Sequence, residues 1–243
     1  MAALPSAPAA SRERFVHRLF DLISPRYDLF NRLASLGLDK PWRKRAIASL
    51  NLSSPMRVLD LASGTGDLSA LASERIVPLG QVAACDLSFP MLRLATRKFE
   101  TTPPAYWHAR PIQGRAEALP FAAASFDAAT MAFALRNVSD LATTFSELHR
   151  VLKPDGRIAL LEFGRPKNLF MRFGHLLWLT FAVPAIGLLT TVKLWPFLYL
   201  RRSILQFMPP QEVLQHLKEA GFDQTQATPL TLGAVILYQA KRR

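Results

Sequence analysis

The sequence predicts a single α/β domain built on a mostly parallel, seven-stranded sheet of the doubly wound type, and three observations predict it. Short apolar runs alternate with helix-period segments from Arg57 onward, the pattern of βαβ units joined by right-handed crossovers. A glycine-bearing turn, Gly64-Thr65-Gly66, follows the first apolar run, where such sheets let the backbone approach a ligand. Two last apolar segments, Gln224 to Leu230 and Gly233 to Ala240, are separated by a turn and would close the sheet as an antiparallel hairpin.

Taken in order, Met1 to Ser11 is rich in Ala, Pro and Ser with no apolar core between charged flanks, so it does not resemble a secretory signal. A disordered tail over residues 1–11 and a cytoplasmic protein are expected. One domain over 12–243 follows, and in its 12–50 portion Phe15, Leu19, Phe20, Leu22 and Ile23 fall at helical spacing until Ser24-Pro25 interrupts them. Two or three short helices therefore precede the sheet. Arg57–Leu61 reads as a strand, Leu68–Ile76 as a helix, Gln81–Asp86 as a strand and Pro90–Phe99 as a helix. A weaker strand near Arg110–Gln113 is followed by a strand over Ser125–Phe133, a helix over Leu141–Leu152 and a strand over Arg157–Phe163. A helix from Pro210 to Ala220, ended by Gly221, leads into the hairpin.

Residues 165–208 break this rhythm. Phe173 to Val192 contains no Asp, Glu, Lys or Arg, a run of about 20 residues that reaches the length of a membrane span. It admits three readings: a span, a lipid-facing surface helix, or the wall of an apolar acceptor pocket. A span would strand the closing hairpin on the far side of the bilayer from its sheet, and Pro184 and Gly187 predict broken helices. Arg165, Lys167, Arg172, Lys193, Arg201 and Arg202 flank the run and suit contact with an anionic membrane. A packed substrate domain or a homodimer interface is the alternative.

Composition narrows the function classes. With 50% hydrophobic and 20% charged residues the chain is globular rather than disordered. Thirty Lys and Arg against eighteen Asp and Glu give a net charge of +12, which attracts nucleic acid, anionic lipid or acidic partners. No interleaved basic-aromatic module or zinc spacing points to nucleic acid. The single Cys85 excludes an internal disulfide and a cysteine-rich metal site, and no metal is expected.

The turn at Gly64 and Gly66, with Asp86 ending the next strand about 20 residues on, suits an adenosine cofactor whose ribose hydroxyls the acid would bind. Alone it does not separate S-adenosylmethionine from NAD, because Gly64 to Ser69 is only a near miss to the dinucleotide pattern. Further segments occur in order: Asp60 to Asp67, Ala116-Glu117-Ala118-Leu119-Pro120-Phe121, Phe133-Ala134-Leu135-Arg136-Asn137-Val138, Arg150 to Pro154, and Leu161-Glu162-Phe163. Together they resemble the family of C-methyltransferases of ubiquinone and menaquinone biosynthesis. The resemblance runs from about Phe15 to the C-terminus and includes Tyr27-Asp28, Asn31, Tyr199-Leu200, Ser203-Ile204 and Pro209-Pro210-Gln211-Glu212.

The resemblance implies a Rossmann-like class I methyltransferase fold, a lid made by the N-terminal helices, and S-adenosyl-L-methionine as methyl donor. It implies a cofactor wall of Asp60, Ser63, Gly64, Thr65, Gly66, Asp86, Leu87, Arg115, Ala116 and Ala132. The implied reaction is C-methylation of a polyprenyl quinol precursor, a demethylmenaquinol or a methoxybenzoquinol; the apolar, basic-flanked run adds the expectation of an enzyme peripheral at the inner face of the membrane. Some positions depart from the family. Arg115 replaces a short polar residue and Ala132 a serine; Ala134 and Asp155 stand for glycines, and Arg202 for a glutamate. Arginine only donates, so the contact to the adenine amino group is either lost or rebuilt, by stacking of Arg115 or by acceptance at Glu117. Two other readings stay open: a diverged methyltransferase for another lipophilic acceptor, such as a phospholipid amine or an aromatic metabolite, and a non-catalytic scaffold in a quinone-making assembly.

A sulfonium methyl is already activated, so the protein has mainly to align the acceptor and exclude water. A ring carbon becomes nucleophilic when its neighbouring hydroxyl loses a proton. Arg136 is the candidate to stabilise that phenolate or to act through water, with Asn137 as its positioning partner. His175 is a candidate base near neutral pH, and Tyr27 and Asp28 are candidate lid residues over the site.

Overall fold

The computed structural model describes residues 9–101, 108–191 and 194–243. Residues 1–8 of the expected tail, and Val192 and Lys193 of the insertion, lie outside the described residues. The rest of that tail is a correction: helix α1 spans Ala9–Ile23, because Ala9 and Ala10 are strong helix formers and extend the helix back. After a 3-10 turn at Ser24–Arg26 come α2 (Tyr27–Ala34) and α3 (Asp39–Ser49).

Then follow β1 (Arg57–Leu61), α4 (Asp67–Ile76), β2 (Gln81–Asp86), α5 (Phe89–Thr101), β3 (Ala109–Gln113), β4 (Phe126–Ala132), α6 (Leu141–Val151) and β5 (Leu152–Phe163). The insertion forms α7 (Leu169–Leu177), a π turn at Trp178–Ala182, α8 (Val183–Thr191) and α9 (Trp195–Gln206). The chain closes with α10 (Pro210–Glu219), β6 (Phe222–Leu230) and β7 (Val235–Arg242).

The seven strands lie in the order β3-β2-β1-β4-β5-β7-β6. The first five pair in parallel, and β7 enters antiparallel between β5 and β6. Both faces of the sheet are covered, so β1 and β2 read as continuous apolar runs whose side chains alternate between two cores. Leu59, Leu61 and Cys85 join Phe145 and Leu148 of α6 and Val213 and Leu217 of α10 on one face. Val58, Val82 and Ala84 join Trp42 and Ile47 of α3, Leu68 and Ile76 of α4 and Phe99 of α5 on the other. A third cluster of Phe30, Leu179, Val183, Phe197 and Ile204 ties α2 to the insertion.

Strand β5 starts earlier than its apolar pattern suggests, at Leu152. Its register against β4 jumps from Leu152 to Arg157, so Lys153 to Gly156 bulge out before the regular pairing. Asp155 sits in this bulge with φ +66, a left-handed conformation that glycine adopts freely and Asp tolerates better than most residues. Its carboxylate is bound by Lys241 of β7 at 2.7 Å.

The breaks expected at Pro184 and Gly187 do not occur: a continuous helix runs over Leu169–Thr190. The π turn widens it just before Pro184, with the Val183 amide reaching back five residues to the Trp178 carbonyl, which absorbs the donor and ring problem that proline poses. Gly187 is a packing site, since a Cβ there would overlap the Phe197 ring of α9. By length and composition the helix is able to cross a membrane. Here one stripe, Leu179, Val183, Gly187 and Thr190, is buried against the domain.

Candidate functional site

The sheet order reverses between β1 and β4, whose carboxyl ends open the crevice where doubly wound folds bind ligands. Strain collects at both ends. Ala62 just after β1 has φ +53 and Phe133 just after β4 has φ +60, a conformation rare for any side chain and an outlier for a bulky one.

One cavity, of about 130 Å³, lies over the glycine turn. Gly64, Asp86, Leu87, Arg115, Ala116 and Ala132 of the expected cofactor wall line it. So do Ala62, Met91 and Glu117. Gly64, at φ +56, donates its amide to the Asp86 carboxylate at 2.7 Å, and the Ser88 amide takes the other oxygen at 2.8 Å. Burial pushes Asp86 up, against these bonds. Each oxygen still has acceptor capacity for a ligand hydroxyl. Glu117 is held at the rim by the Ser139 amide at 2.8 Å and hydroxyl at 2.5 Å.

Asp60, Ser63, Thr65 and Gly66 stand outside this lining. Asp60 is buried, accepts from the Ser69 hydroxyl at 2.5 Å, and is pushed up to about 7 by desolvation. Its second oxygen and the Ser63 hydroxyl are buried without a hydrogen-bond partner among the described residues. Gly66 caps α4 at φ +83, and a Cβ there would come within 2.6 Å of the Phe99 ring; its smallness lets α5 pack against the turn.

Thr65 meets the N-terminal helices: its hydroxyl donates to Asp28 of α2 at 2.5 Å. Lys98 of α5 lies 3.0 Å from Asp28 and 2.6 Å from Asp67. Burial raises Asp67, but Lys98 and Arg43 outweigh it and hold this carboxyl below its ordinary range. Asp21 of α1 accepts from Ser88 at 2.6 Å. Helices α1 and α2 are thus fastened beside Asp86, by residues that local sequence patterns do not connect.

A second, apolar cavity of about 240 Å³ adjoins the first, and Phe20, Tyr27 and Phe133 line both. Arg136, His175, Trp178 and Tyr199 line the apolar one. Arg136 is buried and pairs with Glu162 at 2.7 Å. It also donates to the Phe133 carbonyl at 2.5 Å and to Ser203 at 3.3 Å, and lies 5.1 Å from the Phe163 ring centre. Its positioning, expected from Asn137, comes from these groups. Asn137 faces the cofactor-side cavity and accepts from the Tyr199 hydroxyl at 3.1 Å. Burial lowers His175 and leaves its Nε2 without a hydrogen-bond partner among the described residues; burial raises Tyr27. The imidazole is therefore neutral near pH 7, and the phenol keeps its proton.

Sequence reasoning missed Glu162 and Tyr199 as site residues. Glu162 carried a signal, being an acid inside the apolar run from Ile158 to Phe163, and a charge in a central strand needs a partner. Tyr199 belongs to the Tyr199-Leu200 pair of the family resemblance, but nothing local gives it a role.

A family model described as the ubiE/COQ5 methyltransferase family matches residues 9–242. A demethylmenaquinone methyltransferase of Symbiobacterium thermophilum is 35% identical, over 98% of this chain and 96% of its own. A ubiquinone/menaquinone biosynthesis C-methyltransferase UbiE of Syntrophotalea carbinolica is 39% identical, over 92% of each. Among solved structures, a SAM-dependent methyltransferase of Thermotoga maritima, described as a possible histamine N-methyltransferase, superposes with a TM-score of 0.66 at 16% identity, covering 93% of this chain and 99% of its own. A SAM-dependent methyltransferase of Aquifex aeolicus does so with 0.59 at 17%, covering 83% and 89%. The fold is that of the class I methyltransferases.

Proposed function

The chain belongs to the ubiE/COQ5 methyltransferase family, and from that premise we propose how its two cavities carry out S-adenosylmethionine-dependent C-methylation of a quinone precursor. The carrying observation is that a polar-walled cavity at the strand ends and an apolar cavity share the wall made by Phe20, Tyr27 and Phe133. Donor and acceptor can then meet without bulk water.

The residues present fit the donor. The Asp86 oxygens have acceptor capacity for ribose hydroxyls, and Leu87, Met91 and Ala116 give the adenine an apolar flank. When bound, S-adenosylmethionine supplies a methyl already activated on sulfonium, so no metal or strong acid is required of the protein.

The apolar cavity takes the quinol ring. His175, kept neutral by burial, accepts the proton of the ring hydroxyl at Nε2. The Arg136–Glu162 pair turns a fixed dipole toward the cavity, with its cationic end at the lining, and stabilises the negative charge that develops on the ring oxygen. Arg136 stays protonated and so acts electrostatically. Tyr27, protonated at working pH, closes the junction. Asp28, Thr65 and Lys98 keep the lid shut over the donor.

The acceptor is a polyprenyl quinol, and the α7–α8 helix is where the enzyme meets the bilayer that dissolves it. Phe170 is 79% and Leu189 83% exposed on this helix, and Arg165, Lys167 and Arg172 stand exposed at its start. Such a face suits peripheral binding to an anionic membrane from the cytoplasmic side.

Deleting the gene and analysing the cell's quinones by mass spectrometry tests the reaction. A quinone lighter by one methyl should accumulate; an unchanged quinone profile would overturn it.

A further inference from the structure

Where the two cavities meet, Nδ2 of Asn137 is buried and makes no hydrogen bond to any described residue. Asn137 lines the cofactor-side cavity and Tyr199 the acceptor cavity, so their 3.1 Å hydrogen bond runs from one cavity to the other. In this arrangement Oδ1 accepts from Tyr199 and Nδ2 is the end turned away from the phenol. Both residues are held in place. The Asn137 amide donates to the Ala134 carbonyl at 2.8 Å in a 3-10 turn, and the Tyr199 ring lies edge-on to Phe15 of the lid with centres 5.3 Å apart.

A buried N–H left without an acceptor carries a desolvation cost that a ligand oxygen would remove. The neighbouring Arg136 acts on that oxygen through its charge, while its Nη1 and Nε already bond Glu162, the Phe133 carbonyl and Ser203. The oxygen beside the carbon being methylated calls for a directed donor, and Nδ2 is one with no acceptor among the described residues. That oxygen must lie close to the donor methyl, and hence at the edge of the cofactor-side cavity.

Building on the quinol reading above, we infer that Asn137 donates through Nδ2 to the acceptor's ring oxygen as it becomes an oxyanion, and that Tyr199 is the positioning residue that aims this donor. The proton leaving that oxygen goes elsewhere, to His175 in the scheme above; Asn137 stabilises the anion and transfers nothing. Preorganised neutral donors of this kind favour the charged form without reorganising during the reaction.

The test uses the full chain saturated with S-adenosylhomocysteine and p-nitrophenol, whose absorbance reports its ionisation. Wild type should ionise the bound probe about tenfold more readily than water does, a downward shift of about one pH unit. Asn137→Ala should abolish the shift and Tyr199→Phe should reduce it, while both keep the wild-type melting midpoint and homocysteine-derivative affinity by calorimetry. In turnover, Tyr199→Phe should lower kcat about tenfold, displace its pH profile upward and leave the acceptor KM unchanged. Should Asn137→Ala fail to fold, Tyr199→Phe decides alone. An unshifted probe in wild type, an equal shift in the variants, or a loss confined to S-adenosylhomocysteine affinity overturns the inference; the last would assign Nδ2 to the cofactor. A wild type that ionises the probe but methylates no quinol would sink the proposed reaction instead.

Discussion

Asp60 sits in an environment that opposes its charge. It lies next to the end of β1 among buried groups, with one oxygen on Ser69 and the other without a partner among the described residues, and desolvation raises it from 3.8 to about 7. A carboxyl raised on folding keeps its proton in the native state over a range where the unfolded chain has lost it. Its contribution is therefore fully present below about pH 4 and is lost as pH rises toward 7. Asp86 is raised in the same sense and Asp67 in the opposite one, so only a difference between variants isolates Asp60. Asp60→Asn should remove a decline in unfolding free energy of up to about 4 kcal/mol between pH 4 and pH 7. Urea denaturation of the ligand-free protein at both pH values measures this, and parallel pH dependences in the two proteins would refute it. The sequence marks Asp60 as part of the turn, but its solvation is a property of the helices stacked above it. Asp155 makes the same point: as a residue it departs from a glycine pattern, and only its φ of +66 and its contact with Lys241 show how the departure is accommodated.

At the scale of elements, strands and core helices were legible because their periods are imposed by burial on two faces of one sheet. The Leu169–Thr190 helix was not, since its sequence is apolar on every side and period carries no information about which side is buried. Gly187 reads as a break, yet it sits where a Cβ would overlap the Phe197 ring of α9. This leads to a decision between two magnitudes. Glycine to alanine in a helix gains about 1 kcal/mol in propensity, whereas forcing a methyl into the Phe197 ring costs about 1–3 kcal/mol. Gly187→Ala should thus be neutral to destabilising, with a lowered melting midpoint and a perturbed apolar cavity, of which Phe197 is a wall. A clear rise in melting midpoint would mean that the α9 contact yields freely.

For the whole molecule, large apolar side chains stand exposed on α7–α8, at Leu29, Leu33 and Leu36, and at Trp195 and Leu198 of α9. Soluble monomers rarely leave so much apolar surface open. Vesicles containing anionic lipid should float the protein at low salt and release it at high salt, while neutral vesicles should bind it weakly. Phe170→Glu with Leu189→Glu should abolish flotation at an unchanged melting midpoint. Failure to float at low salt would remove the membrane from this reading, and a dimer dispersed by the same two substitutions would assign the face to a second copy of the chain.

The sequence by itself determined the sheet, the closing hairpin, the glycine turn with Asp86 and the family, because each rests on local periodicity, turn chemistry or the order of motifs. Tertiary structure alone decided that Arg136 is balanced by Glu162, that Asn137 answers to Tyr199, that Thr65 fastens the lid through Asp28, and which stripe of the apolar helix faces inward. The physical reason is separation along the chain. Charge balance, desolvation and the aim of a donor depend on groups brought together from distant segments, and no local pattern records which of them will meet.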